Sequence, residues 1–125
     1  MFSTILFPID QSIEARQASD VAVEMVKKYQ AHLVILSVLE PEGDVAAIAS
    51  LLEKAKENFG LAGIVAETKI AEGNPAFVIC DVADEISADL IVMGSRGMSL
   101  AEEHPEGSVS QRVINLSPCP VLVVP

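Results

Sequence analysis

The sequence predicts a single-domain α/β protein with a parallel sheet and helices on both faces. Half of the 125 residues are apolar, which is enough for one core. Short apolar runs typical of buried strands alternate with stretches whose apolar residues recur at helical spacing. The resulting order β-α-β-α-β-α-β-α-β requires parallel strands joined by right-handed crossovers. No repeat or linker divides the chain, so we expect one domain over residues 1–125.

The strands are predicted from apolar runs bounded by turn residues. They are assigned to residues 5–7, 33–39, 64–71, 89–93 and 121–124. The third differs from the others because it alternates, with Glu67 and Lys69 together on one face. A strand that is polar on one face is only half buried, which predicts a position at the edge of the sheet.

Helical spacing predicts helices over residues 13–30, 45–59, 75–87 and 109–116. Asp44 is a suitable N-cap for the second helix, and Asn74 followed by Pro75 for the third. Gly60 is interpreted as the C-terminal stop of the second helix. Ligands of such sheets bind beyond the carboxyl ends of the strands, where the winding direction reverses.

Pro8 conflicts with a central first strand, because proline removes a donor from the hydrogen-bond ladder. Two explanations remain open. The strand ends before Pro8, or its pairing opens there, which would suit a crevice for a ligand.

The charge balance bears on possible partners. Eighteen acidic residues against eight basic ones give a net charge of −10, so we expect no nucleic-acid binding. Cys80 and Cys119 lack metal-binding spacing and are interpreted as reduced thiols. The first residues lack a basic signal region, and no apolar run reaches the roughly 18 residues of a membrane span. We therefore expect a cytoplasmic protein that does not contact membranes.

A glycine-rich stretch follows the fourth strand and ends where the fourth helix begins. It reads Gly94-Ser95-Arg96-Gly97, nine residues, then Gly107-Ser108-Val109-Ser110. Glycines allow close approach of the backbone to a ligand, and a helix N-terminus attracts anions, so the pattern predicts a phosphate site. A glycine-rich turn with a serine N-cap remains the alternative. The Walker A pattern and the G-x-G-x-x-G fingerprint are both missing.

The spacing G-x2-G-x9-G-[ST] resembles the nucleotide-binding signature of universal stress proteins, which have a Rossmann-like fold. The segments 5–12, 89–94 and 118–124 are similar to that family's first, fourth and last strands. The resemblance implies the strand order 3-2-1-4-5, with Asp10 beside Gly94. It also implies a site for ATP or another adenine nucleotide, with or without Mg²⁺. The implied site residues are Pro8, Ile9, Asp10, Val38, Met93, Gly94, Arg96, Gly97, Gly107, Ser108, Val109 and Ser110.

Two of these assignments keep an alternative. Asp10 is also a plausible turn residue that caps a helix, and taken by itself Val38 fits a plain core residue. The segment before Gly107 departs from the family, since it carries Glu102, Glu103 and Glu106. These carboxylates would repel phosphates, bind a bridging divalent cation, or remain solvated.

We therefore expect a regulatory adenine-nucleotide-binding protein, with an interaction protein of the same fold that binds no nucleotide as the alternative. No nucleophile–base pair is recognisable, so an enzyme is not expected beyond slow ATP hydrolysis. The apolar strand Val121–Val124 falls on an edge, which together with the resemblance implies a homodimer. The sequence does not indicate a downstream protein partner.

Overall fold

The computed structural model describes residues 1–10, 14–95 and 108–125, with side chains described from residue 17 in the first helix. The predicted order of elements is confirmed. The strands are β1 (Thr4–Pro8), β2 (His32–Leu39), β3 (Ala66–Glu72), β4 (Leu90–Gly94) and β5 (Val121–Val124). The helices are α1 (Glu14–Tyr29), α2 (Val45–Leu61), α3 (Pro75–Glu85) and α4 (Val109–Leu116).

The five strands form one parallel sheet in the order β3-β2-β1-β4-β5, which confirms the predicted fold class. The chain first winds outward from β1 through β2 to β3, and then crosses back to β4 and β5. The winding therefore reverses between β1 and β4. This arrangement places the carboxyl ends of β1 and β4 side by side, where doubly wound sheets bind ligands.

Each face of the sheet carries its own core, because successive side chains of a strand point to opposite faces. Ile5 and Phe7 face α1 and α2, and the ring of Phe7 packs edge-on against Phe59 at 5.7 Å between centroids. Leu6 and Met93 face α3 and α4 and are fully buried. Burial of each such large apolar side chain contributes about 1.5–3 kcal/mol, so the strands are held from both sides.

The second helix shows one error of the sequence analysis. Gly60 does not stop the helix; it lies within α2, which runs to Leu61. The left-handed residue is Gly63, with φ of 85°. The helix closes when Gly63 N–H donates to Gly60 C=O (2.9 Å) and Ile64 N–H donates to Phe59 C=O (2.9 Å). This is a Schellman motif, and its apolar contact is made by Ile64 and Phe59, which belong to the same core.

The starts of α2 and α3 agree with the prediction. The carboxylate of Asp44 accepts the N–H groups of Ala46 (3.0 Å) and Ala47 (3.2 Å) at the start of α2. Asn74 caps α3, with Pro75 as its first residue. Since these caps use the N–H groups that a helix start leaves without partners, they fix where each helix begins.

β3 lies at one edge of the sheet, as its alternation predicted. The strand begins at Ala66, two residues later than expected, although Ile64 is buried. One of its faces is charged: Lys69 Nζ pairs with Glu85 Oε1 at 2.5 Å, and Glu67 Oε2 lies 2.8 Å from His32 Nε2. The opposite edge, β5, carries four half-buried apolar residues and no charge.

Among the helices of the described ranges, none is both long enough and apolar enough to cross a bilayer.

Candidate nucleotide site at the carboxyl ends of β1 and β4

The backbone of β1 explains why Pro8 stands in a central strand. Ile9 N–H donates to Leu36 C=O (2.8 Å), and Ser3 C=O accepts from His32 N–H (2.8 Å). The backbone N–H and C=O groups of the odd-numbered residues of β1 therefore point toward β2. Pro8 is even-numbered, so the N–H that it lacks would have pointed toward β4. The β1–β4 register ends at Leu6, opposite Ile91. Of the two explanations for Pro8, the structure supports the second: the pairing opens at the carboxyl end of β1.

The opening is specific to this pair of strands. β2 and β3 remain in register as far as Leu39 and Glu72, and Gly73 N–H then donates to Leu39 C=O at 3.1 Å. β4 and β5 remain in register to Gly94 and Val124. A crevice therefore begins between β1 and β4, at the point where the winding of the sheet reverses.

Asp10 follows β1 at the rim of this crevice. It is half-buried, and its Oδ2 atom is buried. Pro8 and Ile9 are buried beneath it, with Ile9 packed in the core on the α1–α2 face. The family resemblance implies that Asp10 lies beside Gly94. The structure places both at the carboxyl ends of the neighbouring strands β1 and β4.

Val38 lies near the end of β2, two residues beyond the Pro8–Leu36 pair. Its half-buried side chain packs against the core of the α3–α4 face. The core interpretation of this side chain is therefore correct. Because a β-strand presents backbone groups independently of where its side chain points, that packing is compatible with recognition of a base through the Val38 backbone.

The opposite wall of the crevice is formed by the end of β4 and the start of α4. Met93 is fully buried and Gly94 ends the strand. The Ser110 hydroxyl, on a residue that is only 7% exposed, donates to Ser95 C=O at 3.2 Å. This hydrogen bond ties the first turn of α4 directly to the end of β4.

The start of α4 is fixed by a capping box that the sequence analysis did not identify. Gln111 N–H donates to Ser108 Oγ (3.2 Å), and Ser108 N–H donates to Gln111 Oε1 (3.3 Å). The pattern Ser-x-x-Gln was its signal in the sequence. Ser108 Oγ also lies 3.1 Å from Ser110 Oγ. Both hydroxyls, predicted as ligand donors, therefore already hold the local structure.

The backbone at this helix start keeps capacity for an anion. Within the described ranges, the N–H groups of Val109 and Ser110 donate to no other group. No acidic residue lies in the first turn of α4, so the positive end of its dipole is not neutralised there. The arrangement can accept one anionic oxygen group at the helix start.

Three predicted site residues, Arg96, Gly97 and Gly107, lie outside the described residues, as do Glu102, Glu103 and Glu106. The predictions made for them therefore stay predictions.

Asp89 is a residue whose role the sequence analysis missed. It was assigned to the fourth strand, but β4 begins at Leu90. Its Oδ2 accepts the N–H groups of Ser3 and Thr4, each at 2.9 Å, and its own N–H donates to Thr4 C=O (2.8 Å). Asp89 thus closes the β1–β4 pair at its amino end.

The two thiols lie in the α3–α4 core or against it. Burial raises the pKa of Cys80, and it also raises the pKa of Cys119, to which nearby Asp89 contributes in the same direction. Both groups are therefore less thiolate than an exposed cysteine at neutral pH.

The comparisons with known proteins agree with this geometry. The model of the universal stress protein family matches residues 1–125. A universal stress protein of Synechocystis is 52% identical over 136 aligned positions, which cover 100% of this chain and 87% of that protein. The chain belongs to the universal stress protein family.

Solved structures of universal stress proteins have the same fold. The protein UspA from Lactobacillus plantarum superposes with a TM-score of 0.85 at 25% identity, over 99% of this chain and 98% of that one. A universal stress protein in complex with cAMP has a TM-score of 0.83 at 27% identity, over 99% and 97% of the two chains. That neighbour shows that a universal stress protein can bind an adenine nucleotide.

Proposed function

We propose that this chain is a regulatory protein that binds an adenine nucleotide, ATP or AMP, at the carboxyl ends of β1 and β4. The observation that carries the proposal is the opening of the sheet at Pro8, beside the start of α4. Asp10 stands on one side of that opening and the N–H groups of Val109 and Ser110 on the other. The cAMP complex of a related protein supports the choice of ligand class.

The roles of the residues follow from where they lie. Asp10 accepts hydrogen bonds from the ribose or adenine, and the backbone of Val38 receives the base. The phosphate binds at the start of α4, where backbone donors and the helix dipole attract anions. Arg96, Gly97 and Gly107 are assigned to the same phosphate site on the resemblance of the glycine motif.

Enzymatic turnover is not part of the proposal. His32, the histidine in the described part of the chain, begins β2 at the amino end of the sheet, opposite the crevice. The raised pKa values of Cys80 and Cys119 disfavour both thiols as nucleophiles. At most we expect slow ATP hydrolysis.

Calorimetry with ATP, ADP and AMP, with and without Mg²⁺, tests the proposal. We expect dissociation constants in the micromolar range or weaker. Gly107→Val should abolish binding, because a branched side chain prevents close approach of the phosphate to the backbone. Gly60→Val is the matched control, since nothing lies within 4 Å of a Cβ at that helical position.

The effect of the acidic segment on nucleotide binding can be measured in the same calorimetry experiment. Replacing Glu102, Glu103 and Glu106 by Gln should tighten nucleotide binding if repulsion dominates. The same change should weaken Mg²⁺-dependent binding if these residues hold the cation. If the wild type binds none of the three nucleotides, the alternative takes over: an interaction protein of the same fold whose acidic segment excludes nucleotides.

We further propose that the protein is a homodimer paired through β5. Pro120 and Val124 direct their carbonyl groups to β4, so the backbone groups of Val121 and Val123 face away from the sheet. Such an apolar edge favours pairing with another chain.

Val123→Pro removes one outward N–H and should give a monomer in light scattering. Thr68→Pro is its counterpart on β3 and should leave the mass unchanged. A monomeric wild type would contradict the proposal.

A cytoplasmic location is also proposed, because the two cysteines are free thiols and suit a reducing compartment. Fractionation of the native host, probed with an antibody to the chain, tests this assignment.

A further inference from the structure

A cation–π contact joins α4 to the first turn of α3. The guanidinium carbon of Arg112 lies 5.5 Å from the centroid of the Phe77 ring. Phe77 is 53% exposed, whereas Arg112 is half-buried. A cation–π contact of this kind restricts where the guanidinium can lie.

The contact lies at the same edge of the sheet as the crevice. α3 follows β3 and α4 follows β4, so both helices begin at the carboxyl edge of the parallel sheet. Phe77 is in the first turn of α3, and its N–H donates to the capping Asn74. Arg112 N–H donates to Ser108 C=O (3.0 Å), which places Arg112 one turn, about 6 Å, from the start of α4. Since helical side chains lean toward the N-terminus, the guanidinium lies near the level of Ser108.

The charge of Arg112 and the dipole of α4 both favour an anion at the start of this helix. A positive charge near the N-terminus of a helix is repelled by the helix dipole. In the described part of the chain the ion pairs are His32–Glu67 and Lys69–Glu85, and Arg112 belongs to neither. A phosphate at the start of α4 would be attracted by the dipole and by Arg112 together.

We propose that Arg112 is a specificity-determining residue that selects the phosphorylated form of the ligand. The inference rests on the proposed nucleotide site and adds a cation from α4, held by Phe77, to it. Arg112 would discriminate between a nucleoside monophosphate and the corresponding nucleoside, while the affinity for the base and ribose would not depend on it.

The experiment compares AMP with adenosine by calorimetry in the full chain. Arg112→Gln should weaken AMP binding about fivefold at low salt, as expected for a solvent-accessible ion pair, and change adenosine binding less than twofold. Raising the salt concentration should shrink the difference between wild type and Arg112→Gln. Arg112→Lys retains the charge and should retain most of the preference for AMP.

Lys56→Gln is the matched control, because it removes the same charge from an exposed position on α2, which packs on the other face of the sheet. It should leave both affinities unchanged. Equal losses for AMP and adenosine in Arg112→Gln, or an equal effect of Lys56→Gln, would overturn the role of Arg112 while the nucleotide site stands. A wild type that binds neither ligand refutes the proposed function, and the role of Arg112 with it.

Discussion

The two ends of the β1–β4 strand pair differ in how the strands are joined. At the amino end, Asp89 accepts two N–H groups from β1 and its own N–H donates to Thr4. At the carboxyl end, Pro8 offers no N–H to β4, and the register stops at Leu6. One strand pair is therefore fastened at one end and open at the other.

This difference shows how a central strand pair can be both stable and open. Parallel strands need hydrogen bonds between neighbours, and a crevice in mid-sheet removes some of them. Here the amino end supplies additional bonds to a charged carboxylate, which are stronger than ordinary backbone pairs. The carboxyl end is then available for a ligand without loss of the sheet.

Asp89→Ala should have the largest effect, and it should affect stability. The change removes two hydrogen bonds to a carboxylate, each typically contributing roughly 1.5–3 kcal/mol, but water can replace part of this at exposed Ser3. We expect a loss of about 2 kcal/mol in the free energy of unfolding, measured by urea denaturation.

Asp20→Ala, at an exposed position on α1, is the control and should change stability by less than about 0.5 kcal/mol. Nucleotide affinity of Asp89→Ala should equal that of the wild type. A weaker affinity without loss of stability would mean that the two ends are not separate in function.

Asp10→Ala should have the reverse effect at the open end. We expect adenine-nucleotide binding to weaken about tenfold, which corresponds to roughly 1.4 kcal/mol, because the ribose or adenine loses an acceptor. The unfolding free energy of the ligand-free protein should remain within about 0.5 kcal/mol of the wild type. A large loss of stability at unchanged affinity would instead support Asp10 as a capping residue.

Pro8→Val should partly close the open end. The new amide at position 8 would face β4 and could extend the ladder, narrowing the crevice and weakening nucleotide binding about threefold. Stability should change little, since a hydrogen bond of about 1 kcal/mol is offset by the loss of proline's restriction on the unfolded chain. Rapid hydrogen exchange of the amide introduced at position 8 would show that it forms no hydrogen bond to β4. The missing N–H of Pro8 would then not be what keeps the two strands apart.

The smallest expected effect is on the reactivity of the Cys119 thiol, whose pKa depends in part on Asp89. Burial, and to a lesser degree Asp89, raises the pKa of Cys119. Asp89→Asn removes the negative charge, so this pKa should fall and the thiolate fraction at pH 8 should rise. We expect alkylation of Cys119 by iodoacetamide to accelerate roughly twofold or less. The pKa of Cys80 is raised by burial, by Asp81 and by Cys119 but not by Asp89, so alkylation of Cys80 should not accelerate in Asp89→Asn.

The sequence predicted the sheet because apolar runs and helical spacing report burial directly. The position of Asp10 beside Gly94 was implied by the family resemblance, which supplied the strand order 3-2-1-4-5, and the observed sheet has that order. The error at Gly60 arose because this glycine directly follows the last apolar residue of the helical pattern, whereas the residue with positive φ is Gly63, three positions later. The sequence by itself does not show which of the two glycines has the positive φ.

The closing role of Asp89 was not predictable for a different reason. Its partners, Ser3 and Thr4, are 86 and 85 residues away in the sequence. An aspartate beside a strand is common, and nothing local indicates which amides it will reach. The serines show the same limit. Their hydroxyls suit a ligand, but Ser110 donates to Ser95 and Ser108 completes a capping box.

The unequal edges of the sheet also limit how far these molecules can assemble. If β5 of one molecule could join β3 of the next, every addition would expose a fresh edge, and a filament would grow without end. On β3, Glu67 and Lys69 place charges along one face of the strand, and charged side chains discourage edge pairing. In the proposed homodimer, β5 of one molecule pairs with β5 of its partner, so neither β5 edge is left for a further molecule. Such an assembly would stop at two molecules.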